Sequence, residues 1–149
     1  MNSLISKSIM GGIIGSVIMS IELFAASKIG MPKMSPPDML ADMMTIPLSV
    51  AWGLHILIGI TFALAYSFIF APKVKISNTY LKGAIFGFAV FVFAQIAIAL
   101  LEMIFPTPQM EGSMTQLMIG SIIGHVVFGM AVSKTVGHAF STEKAIEYS

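Results

Sequence analysis

Residues 83–105 read GAIFGFAVFVFAQIAIALLEMIF, and only Gln95 and Glu102 in that stretch are strongly polar. At 1.5 Å per residue the run covers the roughly 30 Å of a bilayer's hydrocarbon core. Backbone N–H and C=O groups find no water there, so the segment must be a helix. Three more runs of the same kind extend from about Ser8 to Ile29, Pro47 to Ala71, and Met114 to Val136. Prolines punctuate their ends: Pro32, Pro36 and Pro37, then Pro47, Pro72, Pro106 and Pro108. The expectation is an all-α, polytopic four-helix bundle forming one membrane domain over residues 1–149.

Composition agrees. Of 149 residues 56% are hydrophobic and only 10% charged, against about 25% charged in a soluble domain. Mean hydropathy is +0.91. A net charge of +1 gives no field for a polyanion, so a nucleic-acid partner is not expected. The absence of cysteine removes disulfides, thiolate metal sites and thiol nucleophiles. A lipid bilayer is the expected surrounding, and the glycine-rich faces make a homo-oligomer or a membrane-complex partner reasonable.

All eight basic residues are lysines. Lys7, Lys73, Lys75, Lys82, Lys134 and Lys144 fall on one side of a four-span arrangement, and Lys28 and Lys33 on the other. That asymmetry places both termini in the cytoplasm of a cell with an inner membrane. Lys7 with Ala25-Ala26-Ser27 resembles a cleavable signal, but Glu22 and Gly11, Gly12 and Gly15 speak for a retained packing helix.

The chain reads as two similar hairpins. Each has a leading lysine (Lys7, Lys82), a glycine-bearing helix with one polar residue (Glu22, Gln95), and a Pro-x-Met step (Pro32-Lys33-Met34, Pro108-Gln109-Met110). Each closes with His-x-x-x-Gly, at His55 to Gly59 and His125 to Gly129. Within the first outer loop, Ser35-Pro36-Pro37-Asp38 predicts an N-cap and a short helix to about Met44. That helix would lie in the interface with Met39, Leu40, Met43 and Met44 toward the membrane.

Inward stripes follow at helical spacing. They are Ser8, Gly12, Gly15, Met19, Glu22 and Ala26; Ser49, Trp52, His55, Gly59, Phe62 and Tyr66; Gly87, Phe91, Gln95, Ile98 and Glu102; and Ser121, His125, Phe128 and Val132. Gly11-x-x-x-Gly15 and Gly120-x-x-x-Gly124 have the spacing that lets helix backbones approach in lipid. A polar side chain inside a span costs about 2–3 kcal/mol on insertion scales, so Glu22, His55, Gln95 and His125 should face the interior with partners. Glu22 and His55 both fall about 9–12 Å below the outer surface, which makes a pairing between them an expectation.

Three readings of this interior stay open. A b-type haem between His55 and His125 would use Trp52, Phe62, Phe91 and Phe128 as walls, although the two imidazoles differ in depth by about 6–13 Å. A Cu(I) route would use His55 and His125 with Met39 and Met43, since thioethers are soft ligands. Methionine is equally a flexible apolar filler. In the third reading the polar residues only fix helix register in a structural or accessory protein. No Ser-His-acid set, His-Glu-x-x-His pair or phosphate loop is present, so a non-enzymatic role is expected.

Several pieces are similar to a family of small bacterial four-span membrane proteins known only as a domain of unknown function. These are Pro32-Lys33-Met34-Ser35-Pro36 with Met39-Leu40, Trp52-Gly53-Leu54-His55 with Ile58-Gly59, Gln95, and Gly120-Ser121-Ile122-Ile123-Gly124-His125 with Gly129. The resemblance runs from about Gly11 to Val132. It implies a four-helix membrane bundle and groups Trp52, His55, Gln95 and His125 as one site. It implies no activity or cofactor, and Glu22 falls outside the matched residues.

Overall fold

A computed structural model describes residues 2–105 and 112–147, with side chains for 3–105 and 112–137. Pro106 and the Pro108-Gln109-Met110 step lie outside the described residues, as does the Lys144 side chain. Among the described residues all regular secondary structure is helical, with no strand. The long helices are α1 (Asn2–Lys28), α3 (Leu48–Ala65), α5 (Thr79–Leu101) and α6 (Met114–Glu147). A short α2 (Pro36–Met44) precedes α3, and a π-helical turn (Tyr66–Phe70) joins α3 to α4 (Ala71–Lys73). Four segments, Ser3–Lys28, Leu48–Lys73, Thr79–Leu101 and Met114–Gly137, are long and apolar enough to cross a membrane.

The helices differ at their ends from the apolar runs. α1 starts before Ser8 and α6 continues past Val136, because helical hydrogen bonding carries on where lipid burial stops. α5 begins at Thr79, where the Asn78 side chain accepts from the Leu81 N–H at 3.0 Å, so Lys82 lies within the helix. At the far end α5 stops at Leu101, short of Phe105. The cap on α2 matches expectation: Ser35 Oγ accepts from the Asp38 N–H at 3.4 Å.

One face of α2 does not match. Leu40 and Met43 are buried in protein, with Met43 only 1% exposed, because α2 packs onto α3 instead of lying on lipid. Asp42 is left on the exposed side.

The α3 helix ends through the π turn. Pro72 has no N–H to continue the regular ladder, and the Ala71 N–H bonds back to the Tyr66 carbonyl. The wider turn lets two consecutive residues, Tyr66 and Ser67, both face inward.

Glycines close each hairpin. A Cβ at Gly12 would lie 2.5 Å from the Ile60 Cα and 2.8 Å from the Gly59 carbonyl oxygen, so α1 and α3 touch backbone to backbone. α5 and α6 meet in the same way: a Cβ at Gly83 would lie 2.6 Å from the Gly129 carbonyl oxygen, and one at Gly87 would run into the His125 carbonyl. The correspondence is regular. Lys7, Ser8 and Gly12 precede Lys82, Gly83 and Gly87 by 75 positions, while His55 and Gly59 precede His125 and Gly129 by 70.

The halves differ where they join. α1 uses Gly11 and Gly15 against α6, and Gly15 receives the Phe128 ring. Counting on by 75, α5 carries Phe86 and Val90 in those places. α3 and α5 consequently meet through rings: Phe86 stands 5.0 Å from Tyr66 and 5.1 Å from Phe70, and Phe62 stands 5.9 Å from Phe93. The core joins Met19, Leu23, Ala63, Tyr66, Phe86, Val90, Phe128, Val132 and Val136. Large side chains such as Phe24, Leu57, Phe93 and Leu100 cover the outside, a surface suited to lipid and not to water.

Candidate functional site

Helical geometry splits the polar residues of α1 between two neighbours. Ser8, Gly12, Ser16 and Ser20, each four apart, face α3. Ser8 Oγ lies 2.6 Å from Ser67 Oγ, Gly12 lies on Gly59, and Ser20 Oγ lies 3.4 Å from His55 Nε2. Gly11, Gly15, Met19 and Glu22 face α6, where they meet Thr135, Phe128 and Gly124. The expected Glu22–His55 pairing is therefore replaced. Residue 22 is about 200° around the helix from residue 20, so the carboxylate goes to α6 and the serine takes the imidazole.

The proton positions of both histidines follow from their partners. Ser20 has one hydroxyl proton, which it donates to the Ser16 carbonyl at 3.0 Å. It can then only accept from His55, so His55 carries its proton on Nε2 and keeps a lone pair on Nδ1. His125 Nδ1 lies 2.7 Å from the Ser121 carbonyl, which can only accept. His125 is thus protonated on Nδ1, and its Nε2 lone pair is free.

Rings and small residues frame this polar layer. Trp52 stands edge-on to His55 at 6.1 Å, and Phe91 edge-on to His125 at 5.9 Å. Phe128, wedged on Gly15 and close to Gly59, closes the layer on the side away from α2. His55 is 8% exposed, whereas Trp52 is 37% exposed. The inward stripe of α3 is thus Ala51, His55, Gly59 and Ala63, with Trp52 and Ser49 turned outward. Trp52 flanks His55 from the outside and is not an interior wall.

Among the described residues, two buried side-chain polar atoms have no hydrogen-bond partner: Ser16 Oγ and Glu22 Oε2. The Glu22 oxygen lies 3.5 Å from where a Cβ would stand on Gly124. Gln95 is half-buried on α5, and Met39 is half-buried on α2. Among the described residues no three His, Asp or Glu side chains converge as metal ligands.

A second polar cluster, at the opposite end of the bundle, went unread in the sequence. Ser133 donates to the Thr79 carbonyl at 2.8 Å, so the Tyr66 hydroxyl donates to Ser133 Oγ at 2.6 Å. Lys82 Nζ donates to the Ala71 carbonyl at 2.8 Å. These bonds tie α5, α6 and the end of α3 together. Serines mid-helix are cheap, since they bond the preceding turn's carbonyl, and they leave no hydropathy signal.

The fold and this layer define a four-helix bundle of the membrane-spanning type with one buried histidine, His55, and one half-buried, His125. The chain belongs to the Family of unknown function (DUF6789), whose model matches residues 2–146. Nothing matches it among curated proteins or among solved structures.

Proposed function

We propose that the chain is a multi-pass protein of the cytoplasmic membrane, with both termini inside, whose two-histidine layer holds a small ligand or cofactor without performing catalysis. Lysine placement supports the orientation: six of the eight fall on the side of the termini and the α4–α5 connection. One observation carries the binding role. His125 gives its Nδ1 proton to a backbone carbonyl and keeps the Nε2 lone pair free among the described residues, and Glu22 Oε2, lying against Gly124, is buried without a partner. A purely register-fixing pair would be mutually satisfied. An imidazole held by a backbone carbonyl on one nitrogen is the usual posture of a ligand on the other.

Of the cofactor readings, a haem held by both imidazoles fits less well. His55 spends its Nε2 on Ser20, and that bond would have to break.

The test is purification from native membranes, followed by a visible spectrum, elemental analysis and mass spectrometry of extracted small molecules. A stoichiometric species present in the wild type and lost in His125→Ala supports the reading. A folded wild type that carries none refutes it and leaves a structural role.

A further inference from the structure

Where α1 ends, the chain is steered onto α6. The Ile29 and Met31 N–H groups both bond the Ala26 carbonyl, at 3.1 and 3.2 Å, and Gly30 between them takes the left-handed φ of +99° that this helix stop needs. The four residues that follow, Met31 to Met34, form a non-helical strap that reaches Ser35, the N-cap of α2. Met31 and Met34 go down onto α6: the Met34 sulfur lies 2.8 Å from the Cβ position of Gly120, and the Met31 methyl 3.7 Å from the same point. Pro32 stands against Gly112, and Lys33 is exposed. The two ends of the strap are fixed by capping hydrogen bonds, whereas the side chains between them meet α6 through thioether and ring packing.

One turn deeper on the same face of α6 is Gly124. The Met19 methyl lies 3.3 Å from its Cβ position, and Glu22 Oε2 lies 3.5 Å from it. That oxygen is buried and, among the described residues, unpartnered. Positions four apart on a helix have their Cβ atoms about 5–6 Å from each other. Since α6 starts at Met114, Gly120 is the nearer of the two to the α2 end of the bundle. Met31 and Met34 therefore fill the α1–α6 seam between the Glu22 carboxylate and that end. Met34 carries the seal inward by packing on the core cluster to which Met19 and Leu23 belong. We propose that the Met31–Met34 strap is a lid over this end of the seam, which keeps Glu22 from the adjoining aqueous phase and uncovers it when the two thioethers leave the Gly120 recess. Methionine suits such a closure: its unbranched side chain fills an irregular recess and leaves it without breaking a hydrogen bond. A carboxylate inside a span is costly and marks a functional position, and a lid over it decides when water or a solute arrives. The lid involves neither His55 nor His125, so it goes beyond the ligand-binding reading and does not depend on it.

The chain has no cysteine, so a single introduced thiol reports on access. The full chain carrying Glu22→Cys, in lipid nanodiscs, is treated with a charged, membrane-impermeant maleimide, and labelling is followed by mass spectrometry. Lys33→Cys, on the exposed side of the strap, gives the rate of an open thiol. Glu22→Cys is expected to label at least tenfold more slowly. Adding Met31→Ala with Met34→Ala should raise its rate at least tenfold. So should adding Gly120→Val, which fills the recess from the α6 side. Met39→Ala, on α2, should leave the rate unchanged. Far-UV circular dichroism and the melting temperature identify folded variants, and the two ways of opening the lid stand in for each other if one does not fold. Labelling of Glu22→Cys as fast as Lys33→Cys overturns the proposal, and so does an unchanged rate in a folded variant with the lid opened. Neither result bears on the species sought through His125→Ala.

Discussion

Gly11 and Gly12 are neighbours on α1, and alanine at the two positions is expected to have opposite effects on stability. A Cβ at position 12 would lie 2.5 Å from the Ile60 Cα, 2.7 Å from the Ile60 nitrogen and 2.8 Å from the Gly59 carbonyl oxygen. All three are backbone atoms, so no side chain can swing aside. Reaching ordinary contact requires α1 and α3 to part by about 1 Å, and overpacking of this kind costs about 1–3 kcal/mol. At position 11 the nearest atoms are Thr135 Cβ at 3.5 Å and Val136 Cγ2 at 3.6 Å, which is ordinary contact. There Gly11→Ala gains the helix preference of alanine, about 0.5–1 kcal/mol. The two variants should therefore differ by about 1.5–4 kcal/mol, with wild type between them. Unfolding in mixed micelles by increasing dodecyl sulfate, followed by circular dichroism, measures this. If Gly11→Ala is destabilised as much as Gly12→Ala, the assignment of Gly12 as the α1–α3 contact is wrong.

Other outcomes follow from the same geometry. Ser133→Ala strands the Tyr66 hydroxyl and removes the added bond to the Thr79 carbonyl, and should cost about 1–3 kcal/mol. Tyr66→Phe, which leaves the Ser133–Thr79 bond in place, should cost about 0.5–1.5 kcal/mol. A double-mutant cycle in the same unfolding assay would show coupling between them, and strict additivity would count against the bond. Phe86→Ala empties the ring stack that separates α3 from α5 and should cost about 3–5 kcal/mol. Phe93→Ala, on a side chain 63% exposed, should cost far less in that assay. Trp52 is the one tryptophan in the chain, and its outward placement predicts strong fluorescence quenching by brominated acyl chains. Emission untouched by brominated lipid would return Trp52 to the interior.

Much of this fold was legible because lipid imposes simple demands. Hydropathy located four helices, since an unbonded backbone cannot exist in hydrocarbon. The Ser35-Pro36-Pro37-Asp38 signature located α2 and its cap because capping is a local matter. His55, read as inward because a polar ring in lipid is costly, is buried, whereas His125 is half-buried. The partners were less legible. Glu22 and Ser20 are close in sequence but lie on opposite flanks of α1, and nothing in a stripe of spacing says which flank meets which helix. Trp52 was assigned inward with its neighbour His55, although one residue of helix turns a side chain by about 100°.

What the sequence determined alone is the number of membrane-length helices, the loop helix and the identity of the costly polar residues. Each of these depends on a residue and its near neighbours along the chain. Only the tertiary structure decided that Gly12 and Gly87, and not Gly11, carry the hairpin contacts. It alone decided that Phe86 and Val90 hold α3 away from α5, and that Gly120 and Gly124 receive methionines. The reason is that small residues are silent until a second surface is brought against them: in lipid, association comes from close fit between faces, and fit is a property of two helices at once.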